Sequence, residues 1–374
     1  MLKYWLWLTT LPFLSYAKIP HILSVFGTPE DVFFARQEDF NALGFLNSDE
    51  VRSLSSKSTE LVENVLERCQ RGHIRPVTMQ DAEYPPALLG LDDAPGVLYV
   101  KGQLSALSIE PAIGVVGTRN PSQYGITAAG RFGYHLAKAG MTIVSGMAMG
   151  IDAAAHIGAL RADNPTVAVL GCGVDVIYPP KNESLYYDIA DRGAIISEFM
   201  PGSRPLGEHF PRRNRLISGL SLGVLVVEAP MRSGALITAD RALDQGRDVF
   251  VIPGPIDAPN SAGCNHLIRE YATLVTDPTD ILKEYADRYA VAPEAPKVTP
   301  TITAYEEKRP QLPKPKPPDL SVDQVKIYDA LATPKTPDQL IGITGLTMQA
   351  LLGELTLMEV EGLVKRSDIG TFSI

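Results

Sequence analysis

Cysteine is scarce in this chain. Cys69, Cys172 and Cys264 are far apart, and no Cys-x-x-Cys pair or histidine stands at metal-ligand spacing beside them. That disfavours a structural zinc and a disulfide framework, and fits a reducing compartment. Several catalytic signatures are missing as well. There is no Ser–His–Asp order, no HExxH and no Walker lysine motif, so the sequence names no catalytic residue, metal or cofactor. Positive charge is not in excess either: the net charge of −9 excludes a protein coated in basic surface. A local basic groove could still hold a phosphate backbone. What remains is ordinary for a soluble globular protein, 45% hydrophobic and 21% charged, in 374 residues that allow two or three domains.

The first residues, MLKYWLWLTTLPFLSYAK, have the lysine, apolar stretch and small residues of a signal peptide. The apolar pattern continues past Ala17 through Ile22, Leu23, Val25 and Phe26, then Val32, Phe33 and Phe34. This favours a buried helix broken at Pro12 and a second helix over Ile19–Phe26; with the sparse cysteines and the phosphate-bearing ligand argued below, we expect a cytoplasmic location and no membrane contact. Residues 1–68 read as small helices divided by turn signals at Gly27-Thr28-Pro29 and Asn41–Gly44, with Thr28 as an N-cap before Glu30 and Asp31. We expect a helical module of the helical-hairpin kind.

From 69 to 285 the pattern turns to α/β. Near-continuous apolar runs at 97–100, 113–117, 142–145, 167–171, 194–197, 223–228, 249–253 and 273–276 suit strands buried on both faces of a parallel sheet. Helix-like segments fill several gaps, at Thr127–Ala139, Ala153–Ala162 and Ala235–Gln245. The expected fold is a doubly wound, Rossmann-like sheet that binds ligands at the carboxyl ends of its strands. Residues 286–320 form a linker rich in proline and charge. Residues 321–374 follow as three helices and a hairpin, a winged-helix-like domain.

Several strand ends carry anion-binding chemistry. GVVGTRN places Arg119 directly after Gly117 and Thr118, at a strand-to-helix turn where backbone N–H groups can meet a phosphate. It lacks the full G-x-G-x-x-G spacing and its downstream acid, so ordinary dinucleotide binding is disfavoured. SGMAMGIDAAAH offers a second loop through Ser145, Gly146 and Gly150; Asp152 reads as a cap or an arginine partner, and His156 as a packing residue. Lys181 follows the Pro179-Pro180 corner on the same expected face. HFPRRNRLISGLS gathers Arg212, Arg213 and Arg215 around Asn214, with Phe210 able to stack on a base. At least one of these arginines is expected to make an internal ion pair. Ser233-Gly234, with Arg232 and Thr238 nearby, opens a further helix whose start can offer donors to a phosphate.

Taken together, GVVGTRNPSQYG, SGMAMGIDAAAH, AVLGCGVDVIYPPKN, ISEFMPG, FPRRNRLISGLS, EAPMRSGALITADRALDQGRDVFVIPG and SAGCNHLI resemble the DprA/Smf family (DNA processing protein A) over essentially the whole length. The resemblance implies an extended Rossmann-like domain with a helical N-terminal module and a C-terminal winged-helix-like domain. It also implies a non-enzymatic protein that binds and protects single-stranded DNA and helps load a RecA-type recombinase in natural transformation. Carried to this sequence, Gly117, Thr118 and Arg119 would cradle one phosphate and Ser145, Gly146 and Gly150 a second. Lys181, Phe210, Arg212–Arg215, Ser233 and Gly234 would complete the groove. A homodimer through the central domain is implied too, with the face near its C-terminal end the first expectation.

A rival reading is a nucleotide hydrolase of the LOG phosphoribohydrolase type, which shares the architecture. Those enzymes carry a PGGxGT motif followed by a glutamate, whereas the equivalent junction here reads MRSGALITA, and Glu228 has no evident catalytic partner. Residues 321–374 hold four basic side chains (Lys326, Lys335, Lys365, Arg366) against seven acids, and the candidate recognition helix TMQALLGELTLMEVEG has no Lys or Arg. Duplex binding relies on such cations, so this domain reads as a protein-interaction or accessory module.

Overall fold

The apolar runs assemble into one nine-stranded sheet. The computed structural model describes residues 1–105, 111–289, 320–331, 335–360, 363–366 and 371–373. Its strands are β1 (Arg75–Thr78), β2 (Val97–Gly102), β3 (Ala112–Val116), β4 (Thr142–Ser145), β5 (Thr166–Val169), β6 (Ala194–Ser197), β7 (Gly223–Val226), β8 (Asp248–Val251) and β9 (Thr273–Leu274). They lie in the order β1-β2-β6-β5-β4-β3-β7-β8-β9. From β6 across to β9 all neighbours are parallel; β2 joins β6, and β1 joins β2, antiparallel. All eight strands expected from the sequence are present, and β1 is an addition. Strands β3 to β7 are buried along their whole length, because helices cover both faces.

The winding creates the site. The chain lays down β3, β4, β5 and β6 outward, then returns to place β7 against the other side of β3, with Gly114 opposite Val224. Beyond β7 it continues outward through β8 and β9. The connections leaving β3 and β7 therefore diverge, and a crevice opens at their carboxyl ends. Alternate β3 residues serve opposite faces, as the two-residue period of a strand requires. Ile113 and Val115 pack with α7 (Gln123–Lys138) and α8 (Ile151–Arg161), through Phe132, Leu136 and Ala155. Ala112 and Val116 pack with α10 (His209–Gly219) and α11 (Gly234–Asp244), through Leu216, Ile217 and Ala239.

The N-terminal helices run from α1 (Leu2–Thr10) through α2 (Ile19–Phe26), α3 (Pro29–Phe34), α4 (Gln37–Asn41) and α5 (Ser48–Ser55) to α6 (Glu60–Arg71). Trp5, Leu6, Trp7 and Leu8 are buried in one core with Val97, Tyr99 and Ile195 of the sheet. Both indoles donate hydrogen bonds, Trp5 to Gln80 Oε1 at 3.1 Å and Trp7 to the Ser56 carbonyl at 3.0 Å. Thr28 closes a reciprocal capping box with Asp31. Burial of this strongly apolar segment against the sheet, and the run of α6 to Arg71, leave no break at residue 68. Helices α9 (Glu183–Arg192), α12 (Ala262–Glu270) and α13 (Pro278–Tyr285) complete this part.

The chain divides into two compact units, Met1–Tyr305 and Glu306–Ile374. In the second, α14 (Val322–Ala330), α15 (Pro337–Thr344) and α16 (Met348–Val360) enclose Ile327, Leu331, Leu340, Leu351 and Leu355. A two-stranded wing follows, β10 (Lys365–Arg366) with β11 (Phe372–Ser373), and α15 and α16 meet at a 110° bend. This is a winged helix. The proline-rich segment lies, from 290 to 319, outside the described residues. No single helix among the described residues is long and apolar enough to cross a membrane.

Candidate nucleic-acid interface

The crevice between β3 and β7 holds a cavity of about 290 Å³ whose walls include Gly117, Thr118, Arg119, Phe210, Arg232 and Gly234. Close packing shapes its floor. A Cβ on Gly117 would stand 2.5 Å from Ile151 Cγ1. Gly150 has φ +86°, and a Cβ there would come within 2.5 Å of the Thr118 carbonyl. Only glycine lets these two loops touch. Arg119 is exposed at the rim, its guanidinium carbon 5.2 Å from the centre of the Phe210 ring. It has no ion-pair partner among the described residues. Opposite, Ser233 caps α11 by accepting a hydrogen bond from the Ala235 amide at 3.2 Å, so the positive end of that helix faces the cavity. Asn214 ties the two walls, its Nδ2 donating to the Gly234 carbonyl at 3.2 Å.

The other expected anion sites are occupied by the protein itself. The N-terminus of α7 is closed: the Gly125 amide donates to Ser122 Oγ at 3.2 Å, and Ser122 donates from its amide and hydroxyl to Glu228 at 2.8 and 2.5 Å. The Thr118 amide donates to the Glu228 carbonyl at 2.7 Å. Glu228, left without a role by the sequence, is thus committed to this turn. Ser145 does not form an open second cradle, because its Oγ donates to the Val115 carbonyl at 2.6 Å and is fully buried. The amides of Gly146 and Ala148 are taken by Asp152 Oδ2, at 3.1 and 3.3 Å. Gly150 serves the contact with the Thr118 loop. Lys181 is exposed on a short helical turn, Pro180–Asn182, and is not part of the cavity wall.

The arginine cluster separates into different roles. Arg215 is 5% exposed; it donates to both Glu198 oxygens at 3.0 Å and to Asp93 Oδ2 at 2.8 Å. Burial opposes its charge, but Glu198 and Asp93 outweigh that and raise its pKa. It is an internal ion pair and does not line the cavity. Arg213 is buried beneath the cavity and donates to the carbonyls of Gly146 and Val169. Burial lowers its pKa to about 10, so it stays charged at neutral pH. Burial likewise pushes the nearby Asp152 carboxyl up, with Arg213 and the loop amides opposing. Arg212 is half-exposed: it pairs with Glu198 Oε2 at 3.1 Å and lies 4.6 Å over Tyr16, whose hydroxyl burial pushes up to about 12. His156 is buried, its Nδ1 2.7 Å from Thr166 Oγ1, which itself donates to the Ile143 carbonyl at 2.6 Å. The ring nitrogen must therefore carry the proton, and burial lowers the pKa to about 3.

The cavity thus brings together Gly117, Thr118, Arg119, Phe210, Arg213, Asn214, Ser233 and Gly234 of the expected residues. It leaves Ser145, Gly146, Gly150, Lys181, Arg212 and Arg215 outside its wall. Several wall residues escaped the sequence reading, Asn120 and Ile237 among them. Asn120 directly follows Arg119, and adjacency was its one signal; Ile237 lies one turn along α11 from Ser233. Among the described residues no group of three His, Cys, Asp or Glu side chains could hold a metal ion.

The fold and cavity define a class: a doubly wound α/β protein whose switch-point crevice offers an exposed arginine, a stacked aromatic ring and a helix N-terminus. That set suits a phosphate joined to a planar base. Residues 75–286 match the family model of DNA recombination-mediator protein A, and residues 311–368 match the DprA winged helix domain. The chain belongs to the DprA/Smf family, DNA processing protein A. It is 37% identical over 320 residues to Protein Smf of Synechocystis sp., covering 80% of each chain. It is similar in structure to DNA processing protein A from Streptococcus pneumoniae, with TM-score 0.66 and 37% identity over 75% of this chain and 96% of that one. The Helicobacter pylori protein, described for its single-stranded DNA binding mode, matches with TM-score 0.53 and 30% identity over 58% and 98%.

Proposed function

We propose that this chain binds single-stranded DNA in the β3/β7 crevice, protects it and helps load a RecA-type recombinase during natural transformation, without catalysing a reaction. One observation carries the reading. Arg119 is exposed, without an ion-pair partner among the described residues and with its guanidinium over Phe210, so a phosphate and an adjacent base have neighbouring partners. A flexible single strand can bend its backbone to Arg119, Arg232 and the start of α11 while laying a base on Phe210; a duplex keeps its bases stacked inside. Family membership and the single-strand binding of the Helicobacter pylori protein support it. A hydrolase reading loses its candidate acid, since Glu228 is buried and holds Ser122.

A homodimer belongs to the same proposal. Strand β9 ends the parallel side of the sheet, with one ladder edge unpaired among the described residues, and Leu274 and Tyr271 are exposed beside it. Two copies meeting there would cover a free edge and lengthen the DNA path. The three cysteines are free and buried, in keeping with the proposed cytoplasmic setting.

The test is Arg119→Ala, measured by anisotropy of a labelled oligonucleotide across a salt series. Loss of one phosphate contact should weaken binding by about 1–3 kcal/mol and flatten the slope of log K against log[salt] by about 0.7. A folded variant with unchanged affinity and slope would remove Arg119 from the interface and this reading with it.

A further inference from the structure

The winged-helix unit carries a surface that DNA binding does not explain. In a helix-turn-helix that reads duplex DNA, the second helix brings Lys and Arg to the phosphates. Here that helix is α16, MQALLGELTLMEV, with no cation. It is apolar on two sides. Leu351, Leu355 and Met358 fill the unit's own core. On the other side Met348, Leu352 and Leu357 are 42%, 43% and 54% exposed, and Ile343 of α15 adds a side chain 58% exposed. Successive positions at 100° intervals put Gln349, Gly353 and Thr356 between Leu352 and Leu357, so the exposed face is a band with a leucine at each margin.

The charged residue types on these two helices are of one sign. They are Asp338 of α15 and Glu354 and Glu359 of α16. Glu354 is the informative one. Its Oε2 atom is buried and has no hydrogen-bond partner among the described residues. A buried carboxylate oxygen left unpaired is unfavourable, and an arriving cation would relieve it. We propose that the exposed face of α15 and α16 is the docking site for a helix of a partner protein. That helix is apolar along one side and bears Lys or Arg at its margin, where it meets Glu354. Charge complementarity selects this occupant. A second copy of the same face would bring leucines together with its own acids, and duplex DNA would bring phosphates to a surface without cations. The inference is independent of how the β3/β7 crevice binds DNA.

The full chain can be titrated, by anisotropy at physiological salt, with a labelled designed amphipathic helix of leucine and lysine, and with its leucine and glutamate counterpart. The lysine peptide should bind and the glutamate peptide should not. The double variant Leu352→Asn with Leu357→Asn changes no charge and alters side chains already exposed, so the fold should be retained. It should lose roughly tenfold or more in affinity, as expected when interface anchors are removed. Glu354→Gln should lose several-fold, and Arg119→Ala should bind the peptide normally. Equal binding of the lysine peptide to the double variant would show general attraction to an acidic chain and overturn the proposal. So would binding of the glutamate peptide, displacement by duplex DNA, or self-association in sedimentation that the double variant abolishes.

Discussion

Arg215→Met separates the internally paired arginines from those proposed to meet DNA. Arg215 holds both oxygens of Glu198, a side chain with no exposed surface, and also Asp93. Removing one member of a buried pair leaves the other charge desolvated, at a cost of about 3–5 kcal/mol. Arg212 remains 3.1 Å from Glu198, which places the expected loss near the lower end, about 3 kcal/mol. In a unit of 305 residues each kcal/mol lowers Tm by about 1.6 °C, so the melt should shift by roughly 5 °C. Tryptophan emission reports on the right unit, because Trp5 and Trp7 are both buried in its core. Glu198→Leu added to Arg215→Met should restore more than half of the loss, since the unpaired acid is then gone. Below its melt, Arg215→Met should bind single-stranded DNA nearly as the parent does. A variant that melts normally but loses DNA affinity would refute the assignment and return Arg215 to the interface.

Two further outcomes follow from buried and edge positions. His156 titrates near 3 in the folded protein and near 6.5 when unfolded, so the unfolded chain binds the extra proton between those values. Its stabilising contribution is complete above pH 6.5 and should fall by about 1.4 kcal/mol per pH unit towards pH 3; urea melts at several pH values check this, and a His156→Gln protein with an equally steep decline would contradict it. Leu274→Asp on the β9 edge should convert a dimer to monomer in light scattering and weaken binding to long oligonucleotides more than to short ones. A parent protein that is already monomeric while binding DNA fully would defeat that part of the proposal.

The central sheet was legible because its strands are apolar along their whole length, a pattern set by burial on both faces. Strand β1 was not, since RPVT is four residues long, contains Pro76 and lies at the antiparallel edge. The site was legible in part. Arg119 and Ser233 follow strand ends, and local sequence places them. The fate of the arginine cluster depends on Glu198 and Asp93, the latter 122 residues from Arg215, and the closing of the α7 terminus depends on Glu228, 106 residues from Ser122. Partners that far apart meet only through the order of the sheet, which no local pattern carries. The loop at 145–150 looked like an anion cradle for a different, local reason: Asp152 turns back onto the amides of Gly146 and Ala148, and sequence shows the loop but not where that carboxylate turns.

The most direct test of the account compares single-stranded and duplex oligonucleotides of equal length, bound by the full chain at two salt concentrations. Single strands should bind more tightly at both, with affinity falling against log[salt] at about 0.7 per phosphate neutralised. Equal affinity for the duplex, or binding indifferent to salt, would contradict the assignment of the β3/β7 crevice to single-stranded DNA.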